Sequence, residues 1–556
     1  MPARTGGRIL VDQLIAQGCD RIFTVPGESF LAVLDALHDT PQIETVICRQ
    51  EGGVTFMAEA DGAMTGRPGI AFVTRGPGAT NASIGVHVAM QDSTPMILFI
   101  GDVARGDRDR EGFQEVDFQA MFTPLAKWAA RIDDARRIPE YVARAYATAM
   151  SGRPGPVVLA LPEDMLCDAV EAIDRPRVVP PEQAPDAEAL MTMVDLLKDA
   201  CAPIAIVGGA GWCAGAAHYF KEWAERVGIP VAAAFRRQDA IDNDSAVWAG
   251  NLGYGPNPKL VERVRNADLI LAVGARLGEA TTDGYSLITP DHPDQILIHV
   301  HPDPNELNRV YRADLAICAD MREFAEEASL WEDDLLDFDA GKEAHGEWEA
   351  WNEPVPVDVQ LDLGMCVKAM REKLPADTFI CNGAGNFSGW WHRHWRYKPG
   401  SQLAPTAGAM GYGLPAAVAA CLRHPDRQVV ALAGDGDFLM NGQELATAIR
   451  YGCNMLVLVI DNGAYGTIRM HQEREYPGRV SATTLVNPDF AALARAYGAW
   501  ATTVDSTDAF PAALDEALEQ TGVRLIHFRT EVNNIAAGGL TLDKVQALGR
   551  KARGEG

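Results

Sequence analysis

Asp435 and Asn462 each follow an apolar run in LAGDGDFLMNGQELATAIRYGCNMLVLVIDN, the stretch from Leu432 to Asn462. VVALA is predicted to be a buried strand, with Gly434 and Gly436 letting the chain turn tightly after it; MNGQELATAIRYG follows as helix and MLVLVI as the next parallel strand. Such a unit delivers Asp435 and Asn462 to the carboxyl ends of two strands, where open α/β sheets bind ligands. A carboxylate and an amide oxygen together suit Mg²⁺, a hard cation that takes one or two carboxylates and completes its octahedron with phosphate oxygens and water. A Gly-Asp-Gly surface turn with a capping asparagine accounts for the same residues without any ligand.

A second stretch carries a lone carboxylate. In TVICRQEGGVTFMAEADGAMTGRPG, Glu51 follows a strand and opens a helix expected to be amphipathic, with Met57, Ala58 and Ala60 on its apolar face. An acidic residue at a helix N-terminus is favoured by the macrodipole alone. The next segment, GIAFVTRGPGATNASIGVHVAMQDSTPMILFIGD, reads as strand, glycine turn, helix and strand.

The elements that must position these residues extend along the whole chain. At 556 residues and 47% hydrophobic composition, the protein is too long for one core and is expected to form three domains. RIFTV, TVIC, GIAFVT, PMILFIG and PVVLALP alternate with helical stretches; PIAIVGG, PVAAAF, LILAVGA and ILIHVHPD form a second set, and TFICNG, VVALAGDGD, MLVLVIDN and RLIHFRT a third. This alternation predicts an α/β fold of three doubly wound parallel-sheet domains. A Pro-rich linker is read from Asp174 to Leu190, and an acidic, Trp-containing segment separates the second and third sets. The last residues, from Asn533 on, fit a mobile lid or a frayed tail, and the tail is the expectation because termini fray.

A net charge of −27 argues against nucleic acid or an anionic membrane as the main partner. The N-terminus lacks the apolar core of a signal peptide and no apolar run is long enough to span a bilayer, so a cytoplasmic protein is expected. The ten cysteines occur singly, without a CxxC pair, and predict neither a disulfide framework nor a zinc site.

In order and spacing, these segments resemble the thiamine-diphosphate-dependent enzymes of the acetolactate synthase (large subunit) and 2-oxoacid decarboxylase superfamily, over nearly the full chain. The GDG-to-Asn pattern is the strongest signature; RQEGG with GPGATN, and GAMGYGLPAA with NGAYG, are separate matches. The resemblance implies a pyrimidine-binding domain over residues 1–173, a central Rossmann-like domain over 188–335 and a diphosphate- and Mg²⁺-binding domain over 358–556. It implies Asp435, Asn462 and the carbonyl of Ala464 as Mg²⁺ ligands. Backbone around Gly434, Gly436, Asp437, Tyr465 and Gly466 would meet the diphosphate, with Gly385, Asn386 and Phe387 on its other side.

By the same resemblance, Glu51 is similar to the glutamate that hydrogen-bonds N1′ of the aminopyrimidine and promotes its imino tautomer. Met410 looks like the wedge beneath the bent cofactor, and the Gly408 carbonyl would hold the amine. The family's site forms between subunits, so a homodimer or homotetramer is expected, with Glu51 from one chain and Asp435 from its partner.

Decarboxylases of the superfamily often bring histidines to the site, but GDVARGDRDREGFQEVD and VTRGPG contain none. Phe113-Gln114-Glu115 resembles the FQE of acetolactate synthases, and Lys127 stands where they carry lysine, which favours transfer of an acyl carbanion to a second carbonyl. A decarboxylase, a C–C lyase and a non-catalytic thiamine-diphosphate binder remain alternatives.

Arg75 replaces a small residue of those synthases and is either a cation facing an anionic substrate or a surface arginine. His471 replaces a tryptophan and is either a proton donor or acceptor, or an exposed loop histidine. The catalytic set implied is Glu51, Gln114 and His471, with Gly27, Arg75, Gln114, Lys127 and His471 bordering the substrate, a 2-oxo acid with a carbonyl acceptor. GGAGWC in the central set is a glycine turn that serves either packing or a dinucleotide; GARLGEATTDGYS lacks the RFDDR stretch of flavin-binding synthases, so FAD is possible but not predicted.

Overall fold

A computed structural model of the chain describes residues 2–291, 293–331 and 336–554. The expected domain limits at residues 1, 335 and 556 lie outside these described residues. Two compact units divide the chain, one of Met1–Pro181, Pro405–Pro425 and Leu439–Cys453, the other of Glu182–Ala404, Asp426–Phe438 and Asn454–Gly556.

The first unit is built on a six-stranded parallel sheet in the order Glu44–Ile47, Arg21–Thr24, Gly69–Val73, Met96–Asp102, Pro156–Pro162, Trp128–Arg131. The runs GIAFV, MILFIGD and PVVLALP are buried along their whole length, as parallel strands covered by helices on both faces must be. Phe72 stacks on Phe99 across neighbouring strands, with ring centroids 4.7 Å apart. The helix Glu51–Thr65 differs from expectation: every residue from Gly52 to Gly62 is buried, so it is a core helix without a polar face. It ends at Gly66, whose φ of +64° closes the last turn.

The two later segments of this unit are pinned to it by buried polar groups. Tyr412 donates to Glu59 at 2.5 Å, the Thr406 N–H donates to Asp92 at 2.8 Å, and Arg423 forks onto Asp20 and Asp61. Burial raises the Asp61 carboxyl above its ordinary range, while Arg423 opposes that rise. Tyr451 hydroxyl accepts from Ile47 N–H at 2.8 Å and donates to the Thr45 carbonyl at 3.0 Å.

The second unit holds two six-stranded parallel sheets. One runs Trp248–Asn251, Val231–Ala233, Pro203–Val207, Leu269–Val273, Ile296–His301, Leu315–Cys318; the other runs Gln402–Leu403, Phe379–Asn382, Val429–Gly434, Met455–Asp461, Val523–Arg529, Trp500–Val504. In each sheet the chain first builds to one side of its starting strand and then crosses to the other, and in the last sheet Val523–Arg529 inserts between Met455–Asp461 and the edge strand Trp500–Val504; this is the doubly wound pattern. Three α/β sheets with flanking helices therefore make up the fold.

Two further expectations are corrected. The GDG residues do not form a turn ahead of the helix: Asp435 is the first residue of helix Asp435–Asn441, and neither Gly434 nor Gly436 adopts a positive φ. The C-terminal stretch does not fray: Asn534–Ala536 pairs with Leu540–Thr541, and helix Leu542–Ala552 docks on helix Gly466–Glu475. The approach is so close that a Cβ on Gly549 would lie 2.1 Å from the Arg474 carbonyl, and Gln546 donates to Glu473 at 2.9 Å. Among the described residues, no helix is long and apolar enough to cross a membrane.

Candidate functional site

In the second unit, strands Val429–Gly434 and Met455–Asp461 are direct neighbours, with Gly434 opposite Ile460. The chain leaves them at Asp435 and Asn462, so both side chains emerge at adjoining strand ends. Asp435 is 3% exposed and its carboxylate accepts from Gly436 N–H at 2.9 Å, Ala464 N–H at 3.2 Å and Asn487 at 2.8 Å. The Ala464 N–H also reaches Asn462 Oδ1 at 3.1 Å. Residues 463–465 pair with 483–485 through Tyr465 N–H to Thr483 and Leu485 N–H to Gly463, a bridge that does not use the Ala464 carbonyl. The Asp435 carboxylate and the Asn462 amide oxygen thus converge on the Ala464 N–H.

Burial pushes the Asp435 carboxyl up to about 6, against its bonds from Gly436 and Asn487 and with Asp461 adding to the rise. Burial also acts on Asp461, but His527, Asn487 and the Gly463 N–H hold it below its ordinary range. A divalent cation beside a buried carboxylate would favour its charged form.

Around these residues the glycines let side chains pack directly against the main chain. A Cβ on Gly436 would lie 2.4 Å from the Tyr465 ring, one on Gly466 2.9 Å from the Asn462 amide, and one on Gly383 2.1 Å from Asp437. Asp437 accepts from Ala384 N–H at 3.2 Å. Gly385 takes φ +157° in contact with Phe387, whose ring also faces Gly434. Asn386 accepts from Thr467 and donates to the Ile535 carbonyl at 3.1 Å. Tyr465 caps helix Gly466–Glu475, so that helix N-terminus adds free N–H groups of the kind that bind phosphate. A hard-oxygen set beside a glycine-lined helix start fits a Mg²⁺-diphosphate.

In the first unit, Glu51, Gly27, Arg75 and Gln114 gather around the start of helix Gly76–Asp92. Glu51 Oε2 accepts from Asn81 at 3.0 Å, and its Oε1 would be 3.5 Å from a Cβ on Gly78. Gly27 packs where a Cβ would meet the Thr74 side chain at 2.4 Å. Gln114, with φ +63°, offers its carbonyl to Gly76 N–H at 3.0 Å, while its buried side-chain Oε1 has no partner among the described residues.

Arg75 is 8% exposed, which excludes the surface reading. Its guanidinium lies between Glu28 at 3.1 Å and Glu163 at 3.4 Å, with Phe113 beneath it. Met410 belongs to a turn between Gly408, φ +65°, and Gly411, φ +84°; at 37% exposure it is not an ordinary core methionine.

Lys127 belongs to the first unit and His471 to the second. Lys127 donates to the Ser151 carbonyl at 2.6 Å and lays its stem on Gly155. His471 is helical rather than in a loop, is exposed, and contacts Arg474 at 2.8 Å; partial burial and the Arg474 charge lower its pKa. Sequence reasoning missed Asn81, Glu444, Asp461, Asn487 and His527. Asn81 left a local signal as the last residue of GPGATN, and Asp461 as the residue immediately before Asn462 in VIDN.

Comparison with known proteins matches three segments of the chain in order. Residues 4–121 match the N-terminal binding domain of thiamine pyrophosphate enzymes, 190–328 their central domain and 383–528 their C-terminal binding domain. The chain is 32% identical over 519 residues to the acetolactate synthase large subunit of Parasynechococcus marenigrum, covering 89% of this chain and 82% of that one. It is 31% identical to the acetolactate synthase isozyme 2 large subunit of Escherichia coli, over 94% and 95% of the two chains. The mitochondrial acetolactate synthase catalytic subunit of Saccharomyces cerevisiae is 28% identical, over 97% and 83%. With three domain matches in order and relatives aligned nearly end to end, the chain belongs to the thiamine pyrophosphate (thiamine diphosphate) enzyme family and is acetolactate synthase-like.

Proposed function

We propose that this enzyme uses thiamine diphosphate with Mg²⁺ to decarboxylate a 2-oxo acid and transfer the acyl carbanion to a second carbonyl. The observation that carries the reading is the meeting of the Asp435 and Asn462 side-chain oxygens at the Ala464 N–H, at two adjoining strand ends. When bound, the cofactor supplies a nucleophilic carbon and an electron sink for decarboxylation. Asp435, Asn462 and the Ala464 carbonyl would hold Mg²⁺. Gly434, Gly436, Asp437, Tyr465 and Gly466 would meet the diphosphate from one side, and Gly385, Asn386 and Phe387 from the other.

Glu51, oriented by Asn81, would hold the hydrogen bond to the aminopyrimidine, while Met410 and the Gly408 carbonyl fix its bend. Gln114, His471, Gly27, Arg75 and Lys127 would border the substrate, with Gln114 and His471 available for hydrogen bonding or proton movement. We further propose a cytoplasmic homodimer or homotetramer in which Glu51 and Asp435 of one site come from different protomers; exposed Leu439 and Met440, at 48% and 43%, support a covering partner.

The test supplies pyruvate and a panel of 2-oxo acids and aldehydes to the protein with thiamine diphosphate and Mg²⁺. Acetolactate with CO₂ supports carboligation. Free aldehyde points to a decarboxylase, and cleavage of a C–C bond without CO₂ points to a lyase. No turnover of any compound removes the catalytic reading.

A further inference from the structure

Glu444 lies on neither of the surfaces described above, yet its carboxylate reaches the backbone from which Glu51 projects. It is 0% exposed. Oε1 accepts from the Arg49 N–H and the Gln50 N–H, each at 3.0 Å, and Oε2 accepts from Thr447 at 2.6 Å. Gln50 then caps the helix, its own side chain accepting from Gly52 and Gly53 N–H groups. Two side chains thus take up four N–H groups on either side of Glu51, groups that a helix start would otherwise leave to water.

Gly53 completes the arrangement, because a Cβ there would lie 2.6 Å from Glu444 Oε1. The carboxylate fits only against a residue without a side chain. Burial raises the Glu444 carboxyl above its ordinary range, opposed by Thr447 and the two backbone N–H groups.

We propose that Glu444 is a positioning residue for Glu51: by fixing the Arg49–Gln50 backbone it sets the direction in which the Glu51 carboxylate points. This rests on the reading of Glu51 given above. Its oxygen, more than its charge, does the fixing, so an amide of the same shape should serve. A carboxylate displaced by about 1 Å is enough to slow a reaction by ~100-fold.

The experiment compares Glu444→Ala, Glu444→Gln, Gly53→Ala and Glu51→Gln in the full chain. Two quantities are followed: amide hydrogen exchange of residues 48–54 without cofactor, and exchange of the C2 proton of thiamine diphosphate at saturating cofactor and Mg²⁺. Glu444→Ala is expected to speed exchange of the Arg49 and Gln50 amides by about tenfold and to slow C2 proton exchange by ~100-fold. Glu444→Gln should restore both, and Gly53→Ala should reproduce the defect with Glu444 still present.

Unchanged amide exchange in Glu444→Ala overturns the proposal, as does failure of Glu444→Gln to restore either quantity. Should Glu444→Ala not fold, Gly53→Ala carries the same two measurements. If Glu51→Gln itself leaves C2 exchange unaltered, the role assigned to Glu51 is wrong; the amide exchange result still decides whether Glu444 fixes this backbone.

Discussion

Asn487 spends its amide on two carboxylates at once: Nδ2 lies 2.8 Å from Asp435 Oδ2 and 2.7 Å from Asp461 Oδ1. Behind them, buried His527 holds the other oxygen of Asp461 at 3.0 Å. The two acidic groups are thereby kept side by side, which like charges would not choose, and Asp435 keeps one fixed orientation at its strand end. Partners of this kind would orient Asp435 in the metal-ligand role proposed for it.

Asn487→Ala should therefore weaken Mg²⁺ affinity in the presence of thiamine diphosphate by ~10–100-fold. Saturating Mg²⁺ should recover most of the turnover. Titration of cofactor-dependent activity or tryptophan fluorescence against Mg²⁺ checks this, and an unchanged midpoint would show that Asn487 does not orient Asp435.

Gly436 tests the glycine cradle. A Cβ at this position would stand 2.4 Å from the Tyr465 ring, so Gly436→Ala must displace Tyr465 or the start of its own helix. Overpacking of this order costs about 1–3 kcal/mol. Thermal melting should record that loss, and calorimetric titration should show weakened thiamine diphosphate binding. A variant that melts lower but binds as before would separate Gly436 from the diphosphate.

Glu51→Gln removes the acid while keeping its size and its contact with Asn81. General acid–base groups typically contribute about 10²–10⁴-fold. C2 proton exchange of the bound cofactor should slow by that order while cofactor affinity changes little, as read by exchange-quench NMR beside a binding titration.

How far the sequence disclosed these arrangements depended on how locally each was encoded. Central strands such as GIAFV and MLVLVI are continuous apolar runs, so burial on both faces is written into them. Edge strands Trp128–Arg131, Leu315–Cys318 and Trp500–Val504 are short and only partly buried, and carry little of that signal. Asp435 and Asn462 could be read together because one strand–helix–strand unit joins them. Asn487 and His527 reach Asp435 and Asp461 only through sheet pairing and a long connection, so no spacing announces them. Gly436 was visible as a glycine, but its reason is proximity to the Tyr465 ring rather than a turn, and a ring brought in by folding leaves no trace in neighbouring residues.

His394 gives the stability a pH dependence. It is 4% exposed, its Nδ1 lies 2.6 Å from the Asn352 carbonyl, and burial lowers its pKa from 6.5 to about 4; Arg393 and Arg371 add to the depression while Asp362 opposes it. Between these values the unfolded chain binds more protons than the folded one, so this contribution is present above pH 6.5 and is lost as the pH falls toward 4. The slope is at most about 1.4 kcal/mol per pH unit. Denaturant midpoints of His394→Gln should fall less steeply than those of the parent chain between pH 6.5 and 4.5; parallel curves would exclude His394 as their source.

Arg75 carries the last prediction, because its pairing changes what its charge can do. A lone buried guanidinium beside the substrate would attract the carboxylate of a 2-oxo acid, but Glu28 and Glu163 already stand within 3.1 and 3.4 Å of it. One positive and two negative groups leave no net attraction for an anion. Arg75→Ser would strip the cation and leave both carboxylates, and an added 2-oxo acid would then meet uncompensated negative charge. Glu28→Gln, by contrast, releases half of the pairing and should favour the anion. The expected pattern is therefore a higher KM for the 2-oxo acid in Arg75→Ser, a lower KM in Glu28→Gln, and recovery toward the parent value in the double variant Arg75→Ser with Glu28→Gln. Steady-state kinetics at several salt concentrations reads it directly, since effects that arise from charge shrink as ionic strength rises. A KM that rises equally in the single and double variants, and ignores salt, would mean that Arg75 contacts the substrate itself.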